Sequence, residues 1–186
     1  MMRRVDSLLD ISKMESGQVD LDQDTVRLEE LVENVFTDVR PLAQELDIPL
    51  KKELSPHSLL LYVDADKTER LLQNLLDNAL KYNPSEQTIT VRSYAPGDQG
   101  AAPGYVRIDI IDRGPGVPAE YRERLFAPFV QIEGRRKVRR GVGLGLAFCR
   151  LVVIAHGGRI WIEDNPEGGS IFAFTLPAAV AEATDD

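Results

Sequence analysis

Between positions 28 and 46, Leu28, Leu31, Val32, Val35, Phe36, Val39, Leu42, Ala43 and Leu46 recur every three or four residues. Only an α-helix puts such residues on one stripe, and the stripe must then be buried against a second apolar layer. Pro41 lies inside this run, and because the stripe continues past it the spacing predicts a bend rather than an end. A second helix is predicted over 66–82, stopping before Pro84, and a third over 143–155. The opposing layer is legible as strands. Val106, Ile108 and Ile110 alternate with Arg107 and Asp109 in a strand over 105–112, and another strand is predicted over 88–94. Shorter strands are expected at 19–22, 49–54 and 59–63, and a closing hairpin at 158–163 and 170–176 turns through DNPEGG. A short helix is expected near 118–124, and APGDQGAAPG reads as a loop. Strands interleaved with long helices predict the α/β class, a two-layer sandwich in which a mixed β-sheet carries three long helices on one face.

Charge narrows the range of functions. Thirty acidic against 22 basic residues leave a net charge of −8, which argues against a nucleic-acid partner. One segment reverses the sign, with Arg135, Arg136, Lys137, Arg139 and Arg140 close together. No run approaches the roughly 20 apolar residues needed to cross a bilayer, and the first residues lack the apolar core of a signal peptide. A single cysteine, Cys149, allows no internal disulfide, so a cytoplasmic location is expected. Any membrane anchor of a parent protein would lie outside this sequence.

Three constellations carry chemistry. On the helix over 66–82, Leu71, Leu72, Leu75, Leu76 and Ala79 form the apolar arc. Asn74, Asn78 and Lys81, spaced i, i+4, i+7, share a stripe within roughly 60° of one another and away from it. Carboxamide oxygens are hard neutral ligands for Mg²⁺, and a lysine offers a point charge to phosphate. Taken alone, the stripe equally fits the solvated face of an amphipathic helix. The second constellation is DRGPGVP, where Asp112 at a strand end can accept from an exocyclic amine and Gly114 and Gly116 allow backbone to come close. It also reads as a plain turn. The third, GVGLGLA, places Gly141, Gly143 and Gly145 at the head of a helix, where backbone N–H groups and the helix dipole attract anions. Its spacing is neither a Walker A loop nor a Rossmann fingerprint. The basic run just before it favours phosphate.

In order, LLQNLLDNALKYNP, IIDRGPGVP, RLFAPF and GVGLGLAFCRLVV resemble the N box, first glycine box, F box and second glycine box of sensor histidine kinases. AHGGRIWIED and GGSIFAFTLP resemble the closing part of the same catalytic domain, so the resemblance extends from about residue 5 to residue 177. It implies the Bergerat ATP-binding fold of the GHKL superfamily, with ATP and Mg²⁺ as ligands. Asn78 would coordinate the metal, Asn74 would assist near the phosphates, Lys81 would contact phosphate and Tyr82 would pack by the base or ribose. Asp112 would bind the adenine amino group in a pocket shaped by Gly114 and Gly116. Gly141, Gly143, Gly145 and Leu146 would supply backbone around the phosphates. Phe126 and Phe129 would anchor a lid and help dock a partner domain, and Arg139 and Arg140 are candidate phosphate contacts. Relatives of the same fold that hydrolyse ATP carry Glu at the first N-box position. Here it is Asn74, which cannot serve as general base, so intrinsic hydrolysis is expected to be slow.

The acceptor histidine of that family sits on a helical dimerisation domain, and neither histidine here resembles it. His57 reads as a surface loop residue, and His156 as the end of a helix ahead of the Gly157–Gly158 turn. Residues 1–17, with Val5, Leu8, Leu9 and Ser12 at helical spacing, resemble the last turns of the dimerisation domain. The catalytic domain would occupy 18–178 and a polar tail 179–186. The implied partners are a histidine-containing dimerisation domain and a downstream response regulator, with the full-length protein a homodimer. A nucleotide-binding regulatory module without transfer activity, or a serine kinase of the anti-sigma-factor type, remain alternatives. Cys149 and Trp161 are expected to be packing residues.

Overall fold

A computed structural model describes residues 20–55, 59–132 and 143–179. The expectations for residues 1–17, His57, Arg139, Arg140, Gly141 and the tail beyond residue 179 lie outside the described residues.

The order is β1 (Asp24–Arg27), α1 (Leu28–Glu45), β2 (Leu50–Glu53), β3 (Leu60–Val63), α2 (Ala65–Tyr82), β4 (Ile89–Tyr94), β5 (Tyr105–Ile111), α3 (Ala119–Arg122) with a 3₁₀ turn at Arg124–Phe126, α4 (Gly145–Ala155), β6 (Ile160–Asp164) and β7 (Ser170–Pro177). Five strands form one mixed sheet in the order β2-β4-β5-β7-β6. The β2–β4 pair is parallel and the other pairs are antiparallel. Period-two alternation sends Ile89 and Val91, then Val106, Ile108 and Ile110, then Phe172, Phe174 and Leu176 to one face, where they are buried. The helices pack on that face, with α2 between α1 and α4, and helices and sheet share a single apolar core.

Two expectations are corrected. The first strand among the described residues is Asp24–Arg27, and residues 20–22 of the strand expected at 19–22 are not strand; Asp22 gives its N–H to the Asp64 carboxylate instead (3.1 Å). That strand and β3 do not join the main sheet. They pair antiparallel as a separate ribbon, tied to the end of β7 through a Leu61–Ala178 bridge and the Ala179 N–H to Leu60 oxygen bond (2.8 Å). The polar face of β5 is covered. Asp109 is only 1% exposed and takes both arms of Arg107 (2.7 and 3.0 Å), whose guanidinium also reaches Glu163 (2.9 Å) and lies against Tyr94 and Trp161. Trp161 donates to Glu163 (2.6 Å) and packs under Arg159, so it is a packing residue on this face.

The start of α2 is locked. Asp64 caps it, accepting from the Lys67 N–H (3.0 Å) and the Lys67 ammonium (2.5 Å). Burial pushes the Asp64 carboxyl up, but those bonds and the Asp22 N–H outweigh it and hold the group below its usual range. The Asp64 N–H in turn donates to His156 Nε2 (3.0 Å), while His156 Nδ1 bonds the Val152 carbonyl (2.8 Å). His156 is thus the C-cap of α4, as its sequence position predicts, and it also staples α4 to α2. This pattern requires the neutral ring with its proton on Nδ1. Burial lowers the His156 pKa below the ordinary 6.5, ahead of opposing contributions from Val152 and Asp64 and a small lowering by Lys67. The stabilising contribution is complete above pH 6.5 and is lost as pH falls towards the lowered value. Urea unfolding between pH 7.5 and 5 should therefore show falling stability, with a slope of at most about 1.4 kcal/mol per pH unit from this group. A His156→Gln variant should be less stable at pH 7.5 and show a shallower slope in that window; an unchanged slope would assign the pH dependence elsewhere.

Candidate functional site

Helix α2 supplies one wall of the site. Its apolar arc, Leu71, Leu72, Leu75, Leu76 and Ala79, is buried, which leaves Asn74, Asn78 and Lys81 on the opposite side, partly exposed. They border a cavity of about 370 Å³, within the size range of small-molecule sites. The helix ends where Asn83 turns extended before Pro84, so Tyr82 also reaches the cavity. Lys81 Nζ sits 4.9 Å from the centre of the Tyr82 ring.

Asp112 emerges from the end of β5 at the same cavity and is buried. Its Oδ1 accepts from the Gly114 N–H (2.8 Å) and the Ser170 N–H (3.2 Å), which fixes the plane of the carboxylate. Gly116, Gly143, Gly145 and Leu146 line the cavity as well. A Cβ on Gly145 would touch Asn74 Oδ1 at 3.4 Å, showing how closely the head of α4 approaches α2. Gly114 is not in the lining; it packs between the Asp112 carboxylate and the Tyr82 carbonyl.

The two F-box residues stand apart from the cavity. Phe126 is a core residue, whereas Phe129 is 63% exposed and its N–H bonds the Gly143 carbonyl (2.9 Å). Phe129 thereby joins the F-box segment to the second glycine box.

Most of the remaining walls come from residues inside the same sequence stretches that carry no expected role of their own. Val117, Leu125, Ile132, Leu144 and Phe172 give an apolar side suited to a flat aromatic group, and Asp77 lies at the rim beside Asn78. Asp77 is at i+3 from Asn74, so helical spacing places it on the ligand-facing stripe. Asn83 was also missed. Its Oδ1 accepts from the Arg113 N–H (2.7 Å) and its Nδ2 donates to the Gln87 carbonyl (2.6 Å), tying the end of α2 to the residue after Asp112. Cys149 is fully buried, its Sγ faces the Leu71 carbonyl, and burial pushes its thiol far up, so it is an inert core residue as expected.

A buried carboxylate, a carboxamide–lysine stripe and an apolar wall thus border one cavity, and the chain that builds it is similar to known proteins. The family model described as "Histidine kinase-, DNA gyrase B-, and HSP90-like ATPase" matches residues 63–180. The sensor protein KdpD of Escherichia coli is 34% identical over 184 residues, covering 99% of this chain and 20% of that protein. The adaptive-response sensory kinase SasA of Rippkaea orientalis is 33% identical over 177 residues, 95% of this chain and 44% of that protein. The chain thus spans 20% and 44% of the length of these two relatives. The crystal structure of full-length ShkA in complex with AMPPNP superposes with a TM-score of 0.81 at 28% identity, covering 96% of this chain and 36% of that one. The chain belongs to the family of histidine kinase-, DNA gyrase B- and HSP90-like ATPases, as a histidine kinase-type ATPase domain of the sensor kinases.

Proposed function

We propose that this chain is the Mg-ATP-binding catalytic domain of a two-component sensor histidine kinase, which passes the γ-phosphoryl group to a histidine on a dimerisation domain outside this chain. The observation that carries the reading is that Asn78 and Asp112, 34 positions apart, border one cavity. The complex of ShkA with AMPPNP, in a protein of the same fold, supports a nucleotide as its occupant.

The residues fit the ligand. Asp112, with Oδ1 already held by two N–H donors, is oriented to accept from the exocyclic amine of adenine. The apolar wall around Phe172 and Leu125 suits the purine face, and Tyr82 closes the ribose side. Lys81 and the N–H groups at the head of α4 meet the phosphates. Among the described residues no group of three or more His, Cys, Asp or Glu could hold a metal. Asn78 is accordingly proposed to bind Mg²⁺ together with phosphate oxygens, the usual arrangement for a cation that keeps few protein ligands. Bound Mg-ATP supplies the labile phosphoryl group and neutralises charge during in-line transfer. Asn74 holds the phosphate end without activating water, so the site retains ATP until an imidazole arrives.

The test supplies labelled ATP and, as a separate polypeptide, the dimerisation domain with its histidine. Acid-labile label on that domain, with a basal ATPase rate well below one turnover per minute, is the expected result. Acid-stable label would indicate a serine kinase. No label despite tight ATP binding would leave a regulatory module.

A further inference from the structure

Asp112 is held in the site by the turn between β6 and β7, most of which does not line the cavity. The β6–β7 connection folds back on the end of β5. Asn165, only 9% exposed, donates from Nδ2 to the Asp112 carbonyl oxygen (3.0 Å), and its Oδ1 accepts from the Glu167 N–H (3.2 Å). The turn closes on itself through the Gly168 N–H to Asn165 oxygen bond (2.8 Å) and the Asn165 N–H to Gly169 oxygen bond (3.2 Å). Gly169, at φ +94°, lies so close to β5 that a Cβ would stand 2.2 Å from the Asp112 carbonyl oxygen. The next residue, Ser170, gives the Asp112 carboxylate one of its two N–H donors, and its own carbonyl takes the Asp112 N–H (2.9 Å). Arg113 straps the same turn from outside, bonding both the carbonyl and the carboxylate of Glu167.

We infer that Asn165 is a positioning residue for purine recognition: through the Asp112 main chain and the Gly169–Ser170 backbone it sets the angle at which the Asp112 carboxylate meets the base. The inference rests on the reading of Asp112 given above and assigns the DNPEGG turn to base selectivity. A carboxyl group presented to an amine selects strongly by direction, because the guanine carbonyl at the same place repels it. Asn165 is not in the cavity lining, and its side chain bonds the Asp112 carbonyl and the Glu167 N–H, so its effect is expected on the base.

The experiment is calorimetry of the full chain with Mg-ATP and with Mg-GTP. Asn165→Asp keeps the acceptor for Glu167 but turns an oxygen against the Asp112 carbonyl. It should lower Mg-ATP affinity about tenfold and leave Mg-GTP affinity within about twofold, so the preference for ATP shrinks. Glu167→Ala, at a side chain 71% exposed, should shrink the same preference about threefold and decides alone if Asn165→Asp does not fold. Wild-type preference retained in whichever variant folds, or equal losses for both nucleotides, overturns the positioning role. A wild-type chain that does not prefer Mg-ATP over Mg-GTP overturns the reading of Asp112 as well, which separates the two failures.

Discussion

Asp112→Asn is expected to lower affinity for Mg-ATP about 100-fold, close to 2.7 kcal/mol, while leaving the fold intact. The two halves of that expectation have different sources. The fold survives because Oδ1 is the atom that the Gly114 and Ser170 N–H groups bind, and the carboxamide oxygen of asparagine can take the same place. The main-chain bonds of Asp112 to Ser170 and Asn165 do not involve the side chain at all. With the oxygen so held, the new amide nitrogen occupies the other position and turns a donor towards the donor of the adenine amine. A buried, mispaired polar contact costs far more than a missing one. Calorimetry with Mg-ATP and with adenosine should show a similar relative loss for both, since the damage lies at the base. Thermal melting should move by no more than a few degrees. Unchanged affinity would remove Asp112 from the site.

How much of this was legible beforehand follows from the range over which each residue acts. The helices and the inner strands announce themselves through periodicity, which is local: the stripe on α1 and the alternation in β5 need only neighbours in sequence to be seen. The Asn74, Asn78 and Lys81 stripe is legible for the same reason, because all three sit on α2. Pairing partners are not local. Nothing in DTVR or LLYV distinguishes a strand of the main sheet from one of a detached ribbon, and the choice rests on contacts with Ala178 and Ala179 at the far end of the domain. Alternation marks Arg107 and Asp109 as polar but says nothing of their exposure. Only the arrival of Glu163 and Trp161 on β6 closes their face. No spacing singles out Asn83 and Asn165, since they bond across 30 and 53 positions to main-chain atoms that every residue possesses. The apolar wall likewise draws on Val117, Leu125 and Phe172 from three separate segments.

The separate roles proposed for Asp112 and Asn78 make a second large effect separable from the first. Asn78→Ala is expected to lower Mg-ATP affinity at least about 30-fold and to leave adenosine affinity within about twofold. Alanine is the best helix former, so α2 is retained, and Asn78 is partly exposed, so no buried partner is stranded. On the proposed reading, the variant removes one hard oxygen from a cation that keeps few protein ligands. The loss should therefore vanish when nucleotide is offered with EDTA, and Mg²⁺ alone should bind neither protein measurably. Asp112→Asn must behave in the opposite manner, losing affinity with or without the metal. Base recognition by Asp112 and metal binding by Asn78, as proposed, predict this crossed pattern. If Asn78→Ala weakened adenosine as much as Mg-ATP, the carboxamide would be shaping the pocket as a whole, and its assignment to the metal would fall.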